Sequence, residues 1–276
     1  MRQPLVSVKW LKENFNDPKL IILDASIKDT ISKKVTDFPG IKIKNARFFD
    51  LKNSFCNLEN PLPNTLPKPE VFAEECRKLG ICKESIIVVY DNLGIYSSPR
   101  AWWVFRIMGF KNIAVLNGGL AEWMANSLKT EPIQIETYDR GNFKVAYQKK
   151  FVTSKEKLLK NLTTKNALVL DARSKDRFYA LLPEPREQIR SGHIPNALNV
   201  PYTAVLKDGK FLSEIELAEI LDQYDLKKHP LIFSCGSGIT ACIILLACEL
   251  VLENEKSLYD GSWSEWGQSN HLPIAH

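Results

Sequence analysis

Short apolar runs alternate with longer amphipathic stretches along this chain. Leu20-Ile21-Ile22-Leu23, Ile86-Ile87-Val88-Val89, Leu168-Val169-Leu170 and Leu231-Ile232-Phe233 are too short for helices and too uniformly apolar for half-exposed strands. They read as strands buried on both faces. Between them, residues 68–79, 99–108, 154–162 and 213–224 carry helical periodicity. Pro69 and Pro99 fall near two of the predicted starts, where a missing backbone N–H costs little. Strands alternating with helices predict an α/β fold built on a largely parallel, doubly wound sheet. The most apolar segment, residues 239–252, reads as a helix. Its longest candidate span, residues 243–252, is broken by Glu249 and falls far short of a membrane span.

The pattern is written twice. Leu20-Ile21-Ile22-Leu23-Asp24-Ala25 resembles Ala167-Leu168-Val169-Leu170-Asp171-Ala172, and Asn45-Ala46 resembles Asn196-Ala197. The stretch from Ser85 to Asp91 resembles that from His229 to Cys235, and Gly118-Gly119-Leu120-Ala121-Glu122-Trp123 resembles Gly261-Ser262-Trp263-Ser264-Glu265-Trp266. The matches keep one order at an offset of about 145 residues, so the chain reads as two copies of one domain. The expected division is 1–130, a linker at 131–150, and 151–276. The linker is polar and aperiodic and contains Pro132, Asp139, Arg140 and Gly141.

One segment carries chemistry. The predicted strand 231–234 runs into Cys235-Gly236-Ser237-Gly238-Ile239-Thr240-Ala241, and a helix follows. A strand, a Gly-rich loop and a helix N-terminus place a sulfur where backbone N–H groups and the helix dipole favour an anion. Both effects stabilise a thiolate or an anionic group carried on it. A buried core cysteine is the alternative, and the flanking glycines argue against it. Cysteine phosphatases place an Arg six positions after their nucleophile; here that position is Ala241, which disfavours phosphoryl transfer. The first copy has Asp91 where the second has Cys235, so only the second copy is expected to carry the reaction.

Composition narrows the classes. The 276 residues are 45% hydrophobic and 25% charged, with a formal net charge of +5, the profile of a soluble globular protein. Lys and Arg are scattered, without the basic tract expected of a nucleic-acid binder. No apolar signal region opens the chain, and a cytoplasmic location is expected. The six cysteines are then reduced thiols. None has zinc-site spacing, and no metal or cofactor is expected.

These residues resemble a known family, the two-domain rhodanese-type sulfurtransferases, over nearly the whole chain. The Cys235–Ala241 loop is similar to the CGSGVTA loop of the 3-mercaptopyruvate branch, with Ile239 for Val, whereas the thiosulfate branch carries CRKGVT. Asp171-Ala172-Arg173, Arg177-Phe178 and Pro183-Glu184-Pro185-Arg186 resemble the family's DAR, RF and PEPR segments. Ser191-Gly192-His193-Ile194-Pro195-Asn196-Ala197 resembles its SGHIPGA turn, and the segment from Tyr259 to Trp266 its YDGSW.EW segment. In the first copy, Ser98-Pro99-Arg100-Ala101-Trp102-Trp103 also fits.

The resemblance implies two tandem rhodanese-like domains and covalent catalysis. Cys235 takes a sulfane sulfur from a small anionic donor as a persulfide and passes it to a thiol, cyanide or thioredoxin-like acceptor. Gly236, Gly238, Ile239 and Thr240 line the anion cradle, Arg177 and Arg186 bind the donor's carboxylate, and Ser237 hydrogen-bonds the donor or relays a proton. Surface ion pairs of the two arginines with Asp176 or Glu184 are the alternative. His193 and the tryptophans read as structural. The chain departs from the family where a His is usual: Asn64 stands there, with Lys52 near the usual acidic position. Asn does not move protons near neutral pH. Three readings follow: a mercaptopyruvate sulfurtransferase, a thiosulfate:cyanide sulfurtransferase, and a persulfide carrier with little small-molecule turnover.

Overall fold

The computed structural model describes residues 3–28, 30, 33–134 and 136–276. The chain divides into two compact units. Unit 1 comprises Met1–Leu58, Leu66–Gln148 and Lys207–Phe211, and unit 2 comprises Glu59–Thr65, Lys149–Leu206 and Leu212–His276.

In unit 1 the strands are β1 (Leu5–Val6), β2 (Leu20–Asp24), β3 (Ile41–Ile43), β4 (Arg47–Phe48), β5 (Ile86–Tyr90), β6 (Ile113–Leu116) and β7 (Thr130–Pro132). The helices are α1 (Val8–Glu13), α2 (Pro69–Lys78), α3 (Ser98–Ile107) and α4 (Gly119–Ala125). The main sheet has the order β1-β6-β5-β2-β4, with parallel pairing throughout. Strands β3 and β7 form a separate antiparallel pair. Both prolines stand at the helix starts expected from the sequence, in the first turns of α2 and α3.

Unit 2 repeats the plan with β8 (Val152–Thr153), β9 (Leu168–Asp171), β10 (Ala197–Asn199), β13 (Leu231–Ser234) and β14 (Lys256–Tyr259). Its sheet order is β10-β9-β13-β14-β8, again all parallel. Between β10 and β13 along the chain, β11 (Leu206–Lys207) and β12 (Lys210–Phe211) pair as a short two-stranded sheet, of which residues 207–211 count with unit 1. Helices α5 (Lys155–Thr164), α6 (Lys175–Phe178), α7 (Glu214–Asp222), α8 (Ala241–Val251) and α9 (Ser262–Trp266) complete the unit. Ser154 caps α5, and Ser213 with Glu216 forms a capping box on α7, satisfying N–H groups that the first turn leaves free. Both sheets share one topology, as the internal repeat predicts.

The most apolar segment of the sequence is a core helix. Residues 241–248 of α8 are all buried, as expected of a helix hydrophobic all round. No helix among the described residues is long and apolar enough to cross a membrane. The segment read as a linker is laid along unit 1. Its backbone bonds to Arg77, Ile81, Met108 and Ile107, and Phe143 is buried among Phe72, Phe105 and Phe110.

In each sheet the strand order reverses at one place, between β2 and β5 in unit 1 and between β9 and β13 in unit 2. The C-terminal edge at such a reversal is where doubly wound sheets hold their ligands. Cys235 leaves β13 at that edge, where Ser234 is in register with Asp171 of β9.

Candidate active site

The loop after β13 wraps its own sulfur. The N–H of Gly238 donates to Cys235 Sγ at 3.2 Å, and the cysteine is almost fully enclosed, at 1% exposure. Gly238 has φ +78°, a left-handed conformation that glycine adopts without strain. Gly236 lies close under Arg177: a Cβ there would come 3.1 Å from Arg177 Nη2, so the guanidinium would have to shift by a few tenths of an ångström. The guanidinium therefore sits directly against the loop. Ile239 is buried, and Thr240 is the N-cap of α8.

The equivalent position in unit 1 shows what this loop geometry holds. Asp91 follows β5, and its carboxylate accepts the backbone N–H groups of Leu93, Tyr96, Ser97 and Ser98 at 2.9–3.0 Å, with the Ser98 hydroxyl at 2.6 Å. Four N–H groups converge on one buried anion. Burial pushes the Asp91 carboxyl up from its usual range, against the pull of these hydrogen bonds. Unit 1 thus fills its cradle with a side chain of its own, whereas unit 2 has a thiol there.

The helix α9 braces the loop from outside. Trp263 N–H donates to the Cys235 carbonyl and Ser264 N–H to the Gly236 carbonyl, both at 2.9 Å. Ser262 Oγ accepts the Cys235 N–H at 3.3 Å. Neither Ser262 nor Ser264 is among the site residues that the sequence predicts. Their segment was legible as a motif, but nothing in it told which side chains reach the loop.

Arg177 leaves α6 beside the loop. Its Nη2 and Nε donate to Glu184 at 2.6 and 3.2 Å. The ion pair left open by the sequence therefore exists, but it is not a surface pair: the side chains are 17% and 2% exposed. Glu184 also accepts from Arg173 at 2.9 Å, and Arg173 pairs with Asp171 at 2.7 Å and lies over the Trp263 ring. Asp176 takes no part in this network among the described residues. Arg186 donates from Nη1 to Ser264 Oγ at 2.9 Å. Burial and the like-charged Arg177 push its guanidinium down, while Cys235 and Glu184 pull it up. The two arginines thus lie beside the Cys235 loop, Arg177 next to Gly236 and Arg186 on the serine that bonds the Gly236 carbonyl.

Breaking the buried network carries a definite cost. Arg173→Met should destabilise the protein by about 3–5 kcal/mol, because Asp171 loses its cation while still buried. A urea unfolding midpoint measures it, and a midpoint unchanged from wild type would contradict it.

Asn64, at the position of the family's usual His, lies in unit 2. Its Nδ2 donates to Ser237 Oγ at 2.8 Å and to the Ser237 carbonyl at 3.4 Å. Asp50, the carboxylate nearest in sequence to the usual acidic position, is engaged by its own turn through Lys52 N–H, Asn53 N–H and Asn53 Nδ2. His193 packs flat on Phe178, with ring centroids 3.7 Å apart, and its Nδ1 meets the Phe178 carbonyl at 2.9 Å. That is a structural role, and Trp263 and Trp266 are likewise core residues.

The model of the rhodanese-like domain matches residues 7–126 and again 154–269. The chain belongs to the rhodanese family. It is 37% identical to the 3-mercaptopyruvate sulfurtransferase of Escherichia coli K12 over 276 residues, covering 98% of this chain and 96% of that one. It is 35% identical to the mitochondrial thiosulfate/3-mercaptopyruvate sulfurtransferase 1 of Arabidopsis thaliana, covering 99% and 78%. Among solved structures, SseA of Escherichia coli, a 3-mercaptopyruvate sulfurtransferase with the rhodanese fold, superposes with a TM-score of 0.81 at 34% identity, covering 95% of this chain and 99% of that chain. The tandem rhodanese-like domains and the sulfurtransferase class follow from these likenesses.

Proposed function

We propose that this chain moves a sulfane sulfur from 3-mercaptopyruvate to a thiol acceptor through a persulfide on Cys235. The supporting observation is the loop that turns an N–H onto the Cys235 sulfur, in the place where its twin holds a carboxylate in a ring of N–H groups. The thiolate attacks the donor's sulfur. The carbon–sulfur bond breaks, its electron pair leaves as the enolate of pyruvate, and the enolate takes a proton from water. An acceptor thiolate then attacks the outer sulfur and releases the Cys235 thiolate. Cyanide or a thioredoxin-like protein serves the same acceptor role.

Arg177 and Arg186 hold the donor's carboxylate in this scheme, and the backbone of residues 236–240 holds the persulfide anion. Ser237 accepts from Asn64, so its own O–H is left to hydrogen-bond the enolate oxygen without giving up the proton. The free thiols of all six cysteines support a reducing location, the cytoplasm. Turnover on 3-mercaptopyruvate and thiosulfate, measured side by side, tests the reading. A higher kcat/KM on mercaptopyruvate is expected, and a clear preference for thiosulfate would overturn the donor assignment.

Asn64 gives the thiosulfate reading its own support, since sulfite leaves without needing a proton. Asn64→His should raise mercaptopyruvate turnover by the order of 10²-fold, the lower end of general acid–base help, and should add a pH dependence near the His pKa. Asn64 has φ +60°, a region that His also tolerates. Thiosulfate turnover should stay unchanged. An equal gain on both donors, or none, would show that Ser237 is not waiting for a base.

A further inference from the structure

We infer that Ser264 is a positioning residue that ties the donor-binding Arg186 to the backbone of the persulfide loop. The inference rests on the sulfur-transfer reading above and names a residue outside the sites assigned there. Ser264 lies in α9 and is 3% exposed. Its Oγ accepts from Arg186 Nη1 at 2.9 Å and lies 2.5 Å from the Gly236 carbonyl. The direction of both bonds is fixed by chemistry. A guanidinium only donates and a carbonyl only accepts, so the hydroxyl proton goes to Gly236 and a lone pair goes to Arg186.

Two consequences follow. First, Ser264 is the one hydrogen-bond partner of Arg186 among the described residues. Arg186 stands in the irregular stretch between α6 and β10, and Ser264 is what aims it. Second, Gly236 O receives both the hydroxyl and the N–H of Ser264. The peptide bond is planar and trans, so holding that carbonyl on α9 turns the Ser237 N–H the opposite way. The charge that binds the donor and the peptide that shapes the loop thus share one hydroxyl.

Ser264→Ala tests the link through the split between KM and kcat. With one charge-assisted bond lost, KM for mercaptopyruvate should rise about tenfold, with kcat changed less and the unfolding midpoint close to wild type. Ser264→Thr, which keeps the hydroxyl, should restore KM. Ser264→Ala added to Arg186→Ala should cost nothing further in KM, because the arginine to be aimed is gone. Should Ser264→Ala not fold, Ser264→Cys keeps the volume with a weaker donor and serves the same comparison. An unchanged KM, or additive losses in the double variant, would overturn the inference. The sulfur-transfer reading is checked separately by the mass of the Cys235 peptide after donor treatment. A wild-type protein that takes up no sulfur would overturn that reading, whatever Ser264 does.

Discussion

Cys235→Ser is expected to abolish sulfur transfer from both mercaptopyruvate and thiosulfate while leaving the fold intact. A serine hydroxyl stays protonated at neutral pH and is a poor nucleophile toward sulfur, so the loss should exceed about 10⁴-fold, as when a covalent nucleophile is removed. The substitution is nearly isosteric in a site that is 1% exposed. A hydroxyl also accepts the Gly238 N–H that now points at the sulfur, so the unfolding midpoint should barely move. The other thiols are poor substitutes. Burial pushes Cys248 up to about 12 and Cys76 well above its usual range. Cys242 donates to the Gly238 carbonyl from inside α8. Cys56 is also pushed up by burial. Cys82 is half-buried in unit 1, apart from any loop of this kind. Substantial turnover by Cys235→Ser would contradict the assignment.

Arg186→Ala is expected to lower kcat/KM on mercaptopyruvate by about 10- to 150-fold, the worth of a charge-assisted contact of roughly 1.5–3 kcal/mol. The loss should be smaller on thiosulfate, which has no carboxylate for the fork to grip. Arg186 is a cleaner probe than Arg177. Removing Arg177 also removes a partner of the buried Glu184, whereas among the described residues the hydrogen bond lost with Arg186 is the one to the Ser264 hydroxyl. Steady-state kinetics on the two donors decides the matter, and equal activity of Arg186→Ala and wild type on mercaptopyruvate would contradict the carboxylate role.

Much of the fold was legible in the sequence because it is written in periods. Buried parallel strands such as β2, β9 and β13 are short continuous apolar runs, and α2, α3, α5 and α7 lie within a few residues of the periodic segments that predicted them. The duplication was legible because both copies keep one order, and both sheets share one topology. The Cys235 loop was legible from its glycines, and the structure gives Gly238 its reason in a positive φ, while Gly236 lies close under Arg177.

What stayed hidden depends on contacts between segments distant in sequence. Ser262 and Ser264 belong to a five-residue helix whose function lies in where β14 delivers it. Glu184 reads in the sequence as a surface partner, but its burial and its second arginine, Arg173, come from packing that no local pattern encodes. Phe143, in the aperiodic stretch after unit 1's last strand, fills an aromatic cluster as a single residue, and a single residue has no period. Asn64 could be read as a departure from a pattern, whereas its bond to Ser237 was visible only in three dimensions.

The persulfide on Cys235 is tested by a peptide mass map of wild-type protein treated with 3-mercaptopyruvate in the absence of acceptor, then with a thiol. One extra sulfur is expected on the peptide that contains Cys235, formed with one equivalent of pyruvate and lost when the thiol is added. Sulfur on the peptide of Cys56, Cys76, Cys82, Cys242 or Cys248, or pyruvate released with no sulfur held on Cys235, would contradict it.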